Sequence, residues 1–581
     1  MIDKKWIITG EPDEAFLKRF ADHHPLVAKL LYNRGVKEPN EAEVFFQPDY
    51  KQLADPFLFK DMGKAVDRIL AAIGKKEKIV IHGDYDADGV TSSSILFTTL
   101  KALGAEVSVF LPHREEDGYG INKKNISQFI GEYDLLITVD CGITNIDELA
   151  MLKSGGLDAI VTDHHEPLEV LPDAVAVINP KVKDETYPFK YLCGAGVAYK
   201  LAVALLQKAA VDESVFVRYG GAEGFAKWLL DLAAIGTVAD IMPLVGENRI
   251  IVKYGLKVLA QTKRLGLKAL AEVAGLDLTR EETYAIAFQI APRLNAAGRL
   301  HHADLAFQLL VTEEKETARL LAAELNSVNT GRQKVTDSSM NRVREQLEAQ
   351  EGQKMLFVYD KDIPSGIVGL IAGRISDEYY RPVMVMTMVG EQIVGSGRSI
   401  EQFDITKALF QASEFLSRYG GHPQACGFTL NSPEVLEKFK HVLLEAAQGS
   451  IIDDDLVPIV EIDAMAQPGE LTLGLVKEID KFAPFGEGNI KPKFWIKNLQ
   501  ITAMDKLGNG EKHLRLMAKA EDSYVALKFM GFGMVDRFKD LIAVGDKIDL
   551  VAEIGINVWN GNESVESRIV DIKKVSKRVS F

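Results

Sequence analysis

The sequence predicts an α/β protein with two α/β domains, the first on a mostly parallel, doubly wound sheet. A helical connector joins them, and an OB-like β-barrel closes the C-terminal end. Three observations predict this. Between residues 61 and 203, short β-branched apolar runs alternate with helix-like patterns. A charged stretch of helical period covers 312–350, and the alternation resumes at about 354. From about 455 to 576 the chain turns to short β runs separated by turn signals.

A single core rarely grows past about 250–300 residues, so 581 residues imply several domains. Residues 1–50 are expected to form an N-terminal extension, and 51–311 a catalytic domain with a helical insert. In this domain DMGKAVDRILAAIG suits a helix ending at Gly74. KIVIH (78–82) reads as a buried strand, followed by an acidic loop and a helix near 89–103 that ends at Gly104. EVSVFLP (106–112) is a strand stopped by Pro112, and DLLITVD (134–140), LDAIVTDHH (157–165) and AVAVINP (174–180) are three more. Residues 197–310 read mainly helical, with AFQIAPRLNAAGRLHHAD (287–304) expected as a small-residue loop holding Arg293, Asn295 and Arg299. The connector is expected at 312–350, the second α/β domain at 351–449 and the barrel at 455–576.

Composition narrows the class. Hydrophobic content of 47% and charged content of 26% are ordinary for a globular protein. No apolar run approaches the roughly 20 residues of a membrane helix, and MIDKKWIITG lacks a signal core, so no membrane partner is expected. Cys141, Cys193 and Cys426 lie far apart, which fits neither a disulfide framework nor a zinc site and suits a reducing cytoplasm. The net charge of −15 argues against a whole-surface nucleic-acid footprint, though a local basic groove or a bound metal can still hold phosphate.

HGDYDADG (82–89) sets His82, Asp84, Asp86 and Asp88 within seven residues. Such groups repel one another unless a cation, a proton or water separates them. An EF-hand loop starting at Asp84 would need a Glu at its twelfth position, which is Ile95, and it would follow a helix rather than a strand. A solvated acidic turn is the other reading, but such a turn has no need to follow a buried strand directly. In doubly wound sheets ligands bind outside the carboxyl ends of strands. Here three strand ends carry the acidic loop, Asp140, and Asp163-His164-His165, and Asp240 follows an apolar helix. Carboxylates and imidazoles without thiolates favour a hard or borderline divalent ion, Mn²⁺ or Mg²⁺. The ligands exceed the need of one ion. Two ions sharing a carboxylate would use them all, with Asp140 as the natural bridge because its strand should lie between the others.

HGDYDADG, VDCG, TDHH and VADIMPL resemble the DHH phosphoesterases, and SGIVGLIAGRI, GSGRS and GGHPQACGF resemble their associated DHHA1 domain. PRLNAAGR and KFAPFGEGNIKPKF look like the single-strand-specific exonuclease branch of that family. The resemblance implies that His82 and Asp86 hold one ion, that Asp88, His164 and Asp240 hold the other, and that Asp140 bridges. Ligands at the first position vary in the family, which leaves open whether Asp84 shares in or replaces the role of His82. His165 would face the scissile phosphate, with Asp84 beside it at the reaction centre. Arg114 of PHREEDGYG matches a 5′-phosphate contact, and Ser396 and Arg398 match others. An Arg fork suits phosphate oxygens, although Arg114 could simply pair with Glu115 or Glu116. Arg293, Asn295, Arg299 and His422 complete the expected substrate side.

The implied activity is 5′-to-3′ hydrolysis of single-stranded DNA to mononucleotides, in repair and recombination. A single-strand-binding protein and a RecQ-type helicase are the implied partners. Rival readings are an oligoribonuclease, a cyclic-dinucleotide phosphodiesterase or a pyrophosphatase of the same family, and a metal-free nucleic-acid-binding scaffold. In the barrel, Lys493, Lys497, Lys512, Arg515 and Lys528 with Phe494, Trp495, Tyr524, Phe529 and Trp559 are candidates for gripping a strand, although Phe494 and Phe529 are expected in the core.

Overall fold

A computed structural model describes residues 3–114, 117–118, 120–210, 213–300, 302–521, 526–559 and 561–575. The first sheet contains β2 (Lys78–His82), β3 (Glu106–Phe110), β4 (Leu135–Val139), β5 (Asp158–Thr162) and β6 (Ala176–Ile178), after a short β1 (Lys5–Ile8) that belongs elsewhere. Its order is β3-β2-β4-β5-β6, and every pairing is parallel. The chain runs from β2 outward to β3, then returns to the other side of β2 to form β4. The order therefore reverses between β2 and β4, and a crevice opens at their carboxyl ends. β4 is buried along its whole length, as a central parallel strand covered on both faces must be.

The helix Ala87–Ala102 leaves the acidic loop and runs almost wholly buried between the sheet and the helices Gly194–Lys208 and Leu230–Ala239. Burial of its polar residues is tolerated because Thr91, Ser92, Ser94 and Thr99 each donate a hydroxyl to a carbonyl four residues back.

One expectation is corrected. Residues 291–300 are not a loop: Ala291–Leu300 is a helix, entered through a π turn at Ile286–Ile290. Pro292 cannot donate to the carbonyl four residues back, and the widened turn directly before it absorbs the gap. Gly298 does not break the helix. It is where the backbone of Tyr85 approaches, and an added Cβ would lie 2.3 Å from the Tyr85 carbonyl oxygen.

The connector is one helix, Lys315–Glu348, about 50 Å long at 1.5 Å per residue. It leads to a mixed sheet of β7 (Leu356–Tyr359), β8 (Val383–Val389), β9 (Gln392–Arg398), β10 (Leu416–His422) and β11 (Ala425–Leu430), in the order β10-β11-β9-β8-β7. Then β12 (Ile459–Ile462) and β13 (Ala464–Met465) precede β14 (Lys493–Leu507), β15 (His513–Ala520), β16 (Leu527–Gly531), β17 (Lys547–Trp559) and β18 (Asn562–Lys574). β14 pairs with both β15 and β17, which closes β14-β15-β16-β18-β17 into a barrel.

Residues 1–50 do not stand alone. β1 pairs in parallel with β12, Lys5 opposite Ile459, and Phe16, Phe20, Leu30, Leu31 and Phe46 share one core with Phe494 and Phe529 of the barrel. The barrel and its N-terminal cap are tied to the first domain by Arg249, only 3% exposed, which donates to the carbonyls of Phe45 (3.0 Å), Phe482 (2.8 Å) and Ala483 (2.9 Å). Leu244 N–H completes the tie by donating to Glu487 O at 2.7 Å.

Phe494 and Phe529 are fully buried core residues. Trp495 packs edge-on against Trp6 and lies under Lys497, while Arg515 is neutralised by Asp505 at 3.0 Å. Lys493 and Lys528 are half-buried and Lys512 is exposed. Tyr524 and the side chain of Trp559 lie outside the described residues.

Candidate active site

Three strand ends and one helix end converge. Asp84 and Asp86 follow β2, Asp140 follows β4, His164 and His165 follow β5, and Asp240 ends the helix Leu230–Ala239. One group of ligand atoms comes from Asp84, Asp86 and Asp140, a second from Asp88, His164 and Asp240, and a third from Asp140, His164 and His165. Within each group the atoms lie no more than 4.8 Å apart. His164 Nε2 is 3.1 Å from Asp140 Oδ1, 3.6 Å from Asp240 Oδ2 and 3.9 Å from Asp88 Oδ2. Asp140 adopts φ 61°, in the left-handed region that Asp tolerates better than most side chains. The chain accepts that conformation at the point where the two carboxylate groups meet.

The close approach has visible causes. Asp86 caps the helix Ala87–Ala102, its Oδ1 accepting from Asp88 N–H (2.8 Å) and Gly89 N–H (3.1 Å). Asp88 accepts from Gly194 N–H (2.7 Å) and Ala195 N–H (2.8 Å) at the start of another helix, whose dipole favours the carboxylate. Gly194 is small by necessity, because an added Cβ would lie 2.6 Å from Cβ of Asp140.

Electrostatically the site is unbalanced without a cation. Burial first, then neighbouring carboxylates, pushes Asp84, Asp140 and Asp240 well above the usual carboxylate range. Asp88 is raised to about 6 by burial and by Asp86, against the pull of the amides at Ala195 and Gly194. Burial holds His164 neutral, at about 3, so one ring nitrogen offers a lone pair as a ligand. Buried Asp84 Oδ1, Asp240 Oδ2 and both ring nitrogens of His164 have no hydrogen-bond partner among the described residues. Orphaned buried acceptors in a carboxylate and imidazole set fit a hard or borderline divalent cation.

The geometry groups Asp84, and not His82, with Asp86 and Asp140. His82 is fully buried at the end of β2, its Nδ1 3.6 Å from Cys141 Sγ. Its Nε2 has no hydrogen-bond partner among the described residues, and burial lowers its pKa to about 4. Asp163 organises the loop after β5. Its Oδ1 accepts from His164 N–H (2.7 Å) and from His165 Nδ1 (2.8 Å), and its Oδ2 accepts from Ile143 N–H (2.9 Å). Burial disfavours charge on His165, but the Asp163 hydrogen bond and carboxylate outweigh it and raise His165 to about 9.

On the facing side, Arg398 donates to Ser396 Oγ at 3.0 Å, and both sit on β9 beside Gly369. Arg299 donates to Gly366 O at 3.1 Å and so bridges the two domains. Burial first, then the positive charges of Arg114 and Arg332, lowers its pKa to about 10. Arg114 lies over the Tyr85 ring at 5.2 Å. Its neighbours Glu115 and Glu116 lie outside the described residues. Among the described residues none of Arg114, Arg299, Arg332 and Arg398 forms an ion pair. Four guanidinium groups gathered in this way make a site for an anion.

Two expected substrate residues are placed differently. Asn295 Oδ1 accepts from Ala87 N–H at 2.7 Å and so supports the acidic loop, while Arg293 donates to Asn326 and Gln289, toward the connector. His422 is exposed at the end of β10, at the hairpin with β11. Sequence reasoning missed Arg332, the organising role of Asp163, and the amides of Gly194 and Ala195. The one local clue was the Gly-Ala-Gly run at 194–196.

Comparison with known proteins places the chain in a family. The DHH family N-terminal domain matches residues 78–237, the DHHA1 domain 352–449 and the RecJ OB domain 462–571. The single-stranded-DNA-specific exonuclease RecJ of Bacillus subtilis (strain 168) is 38% identical over 574 residues, covering 98% of this chain and 70% of that protein. RecJ of Escherichia coli (strain K12) is 30% identical, covering 95% and 96%. The crystal structure of RecJ from Thermus thermophilus in complex with Mn²⁺ superposes with a TM-score of 0.83 at 29% identity, covering 99% of this chain and 80% of that one. Its complex with Mg²⁺ gives 0.77 at 27% identity, covering 99% and 79%. The chain belongs to the RecJ family of DHH phosphoesterases.

Proposed function

We propose that this chain is a single-strand-specific exodeoxyribonuclease that releases 5′-mononucleotides in the 5′-to-3′ direction, using two divalent ions, Mn²⁺ or Mg²⁺. One observation carries the reading: the ligand atoms of Asp84, Asp86 and Asp140 adjoin those of Asp88, His164 and Asp240 where Asp140 Oδ1 lies 3.1 Å from His164 Nε2, beside an arginine cluster drawn from both domains. Asp84, Asp86 and Asp140 would hold one ion, and Asp88, His164 and Asp240 the other, with Asp140 shared. His82 would stand behind the first group, against Cys141.

Bound there, the ions supply an activated water and charge stabilisation for an in-line displacement at phosphorus. The chain's own residues do the rest. Asp163 fixes the His165 ring and keeps a proton on Nδ1, so that the ring faces the scissile phosphate in one orientation. Arg114, Ser396 and Arg398 hold the terminal phosphate, and Arg299 locks the second domain against the first. The ion pairs and hydrogen bonds to the phosphate fix the first nucleotide, which gives the reaction its polarity. A cytoplasmic location and a single-strand-binding protein or RecQ-type helicase as partners go with this reading.

The test is one purified sample with Mn²⁺ on 5′-phosphorylated single-stranded DNA, duplex DNA, short RNA and cyclic dinucleotides. Shortening of single-stranded DNA to mononucleotides, with the duplex resistant, is the expected result. Faster turnover of short RNA or cyclic dinucleotides would replace the reading with a smaller-substrate hydrolase. Binding without turnover of any of them would replace it with a scaffold.

A further inference from the structure

We infer that the ring of Tyr85 is the rest that presents Arg114 to the terminal 5′-phosphate, which makes Tyr85 a positioning residue for the recognition of phosphorylated strand ends. This rests on the exonuclease reading and adds to it a group that sets the preference among ends.

The four guanidinium groups of the cleft are not held alike. Arg398 donates to Ser396 Oγ at 3.0 Å and to Gly397 O at 2.8 Å, Arg299 donates to Gly366 O at 3.1 Å, and Arg332 donates to Asn329 Oδ1 at 3.0 Å. Arg114 has no hydrogen bond among the described residues. What holds it is an aromatic face, with its Cζ 5.2 Å from the centroid of the Tyr85 ring. A cation within about 6 Å of a ring centroid is attracted by the ring quadrupole. A planar, weakly hydrated guanidinium suits such a face better than an ammonium does. The difference decides what the arginine can do next. A hydrogen-bonded anchor spends N–H donors, whereas a ring spends none. The ring therefore leaves the donors of Arg114 to phosphate oxygens.

The ring is itself fixed. Tyr85 is half-buried between Asp84 and Asp86. Asp86 caps the following helix through the amides of Asp88 and Gly89. Gly298 brings the helix Ala291–Leu300 against Tyr85, where an added Cβ would lie 2.3 Å from the Tyr85 carbonyl oxygen and 3.4 Å from its Cβ. An arginine resting on so fixed a ring has already lost part of the rotamer freedom that gripping a phosphate would cost it. The placement also sets a distance. Tyr85 is joined through the chain to two carboxylates of the first ligand group, so a phosphate held through it is registered against that group.

The experiment uses the full chain with Mn²⁺ and a double-mutant cycle of Tyr85→Leu and Arg114→Ala. Tyr85→Met is a second variant without the ring, and Tyr85→Phe keeps the aromatic face. Both kcat and KM are measured on one single strand carrying either a 5′-phosphate or a 5′-hydroxyl end. Tyr85→Leu and Tyr85→Met should each lower the preference for the 5′-phosphate roughly 3- to 30-fold, with the loss in the KM of the phosphorylated strand, and Tyr85→Phe should keep the preference. With Arg114→Ala in place, Tyr85→Leu should change the preference by less than about twofold. An unchanged preference in both ring-free variants overturns the inference. So does an equal loss on both strands, which would mark a structural role or a contact of the ring with the nucleotide itself. A full effect of Tyr85→Leu without Arg114 overturns it too, as does a loss in Tyr85→Phe equal to that in Tyr85→Leu, which would give the role to the hydroxyl. If Arg114→Ala keeps the wild-type preference, the Arg114 assignment falls and takes the inference with it. If wild type fails to shorten single strands at all, the exonuclease reading falls first and the inference with it.

Discussion

Asn295 Oδ1 accepts the backbone N–H of Ala87 at 2.7 Å and so joins the helix Ala291–Leu300 to the first turn after the acidic loop. A side chain that resembled a substrate contact in sequence supports the acidic loop. Asn295→Ala leaves a buried amide unsatisfied, at a cost of about 1–3 kcal/mol. The expected result is an Mn²⁺ affinity lower by roughly tenfold, read by calorimetry, with binding of a short 5′-phosphorylated strand little changed. Normal Mn²⁺ affinity with weaker DNA binding would return Asn295 to the substrate side.

The arginines should act on the strand end. Each charge-assisted contact is worth about 1.5–3 kcal/mol, so Arg398→Ala should lower the preference for 5′-phosphate over 5′-hydroxyl ends by about 10- to 100-fold. Arg114→Ala should do the same. Arg332→Ala tests a residue that only the structure brought forward: buried Arg332 Nε has no hydrogen-bond partner among the described residues. Competition between 5′-phosphate and 5′-hydroxyl strands reads all three, and an unchanged ratio in every variant would refute the assignment.

Arg249 should hold the barrel to the first domain. Burial and nearby Arg34 lower its pKa to about 10, yet it spends its donors on carbonyls rather than carboxylates. Arg249→Ala strands several buried carbonyls and should destabilise the junction by about 3 kcal/mol or more. Hydrogen exchange at residues 481–489 should speed up while β4 stays protected. Unchanged protection at 481–489 would show that the clamp is dispensable.

Divalent ions should stabilise the first domain. Orphaned acceptors and mutually repelling buried carboxylates disfavour the metal-free fold, and an ion that binds only the folded state adds about 2.7 kcal/mol at a hundred times Kd. Mn²⁺ should raise Tm saturably, chelator should reverse it, and Asp240→Asn should blunt it. A Tm indifferent to Mn²⁺ would contradict the fit of these residues to a cation.

The sheet of the first domain was legible because covered parallel strands are continuous apolar runs. Asp140, His164 and the acidic loop were legible because each ends such a run. PRLNAAGR was misread as a loop because Pro and Gly usually punctuate. Here Pro292 is absorbed by a π turn, and Gly298 answers to the Tyr85 backbone. His82 and Asp84 could not be separated by spacing alone; what distinguishes them is the contact of His82 with Cys141, which lies just after another strand. The union of residues 1–50 with the barrel rests on pairs such as Lys5 and Ile459, which leave no local trace. It also changes what a truncation means. A cut near Gly449 would bare Phe16, Leu30 and Phe46 and strand Arg249, so it cannot remove the tail cleanly.

The central claim is that Asp140 is shared by two ion sites. The most direct measurement is Mn²⁺ titration of wild type and Asp140→Ala by calorimetry, with turnover of a 5′-phosphorylated single strand at saturating Mn²⁺. Two sites in wild type, both weakened in the variant, with turnover falling far below about a tenth, is the predicted result. Asp140→Ala retaining more than about a tenth of wild-type turnover, or losing one site while the other binds normally, would contradict it.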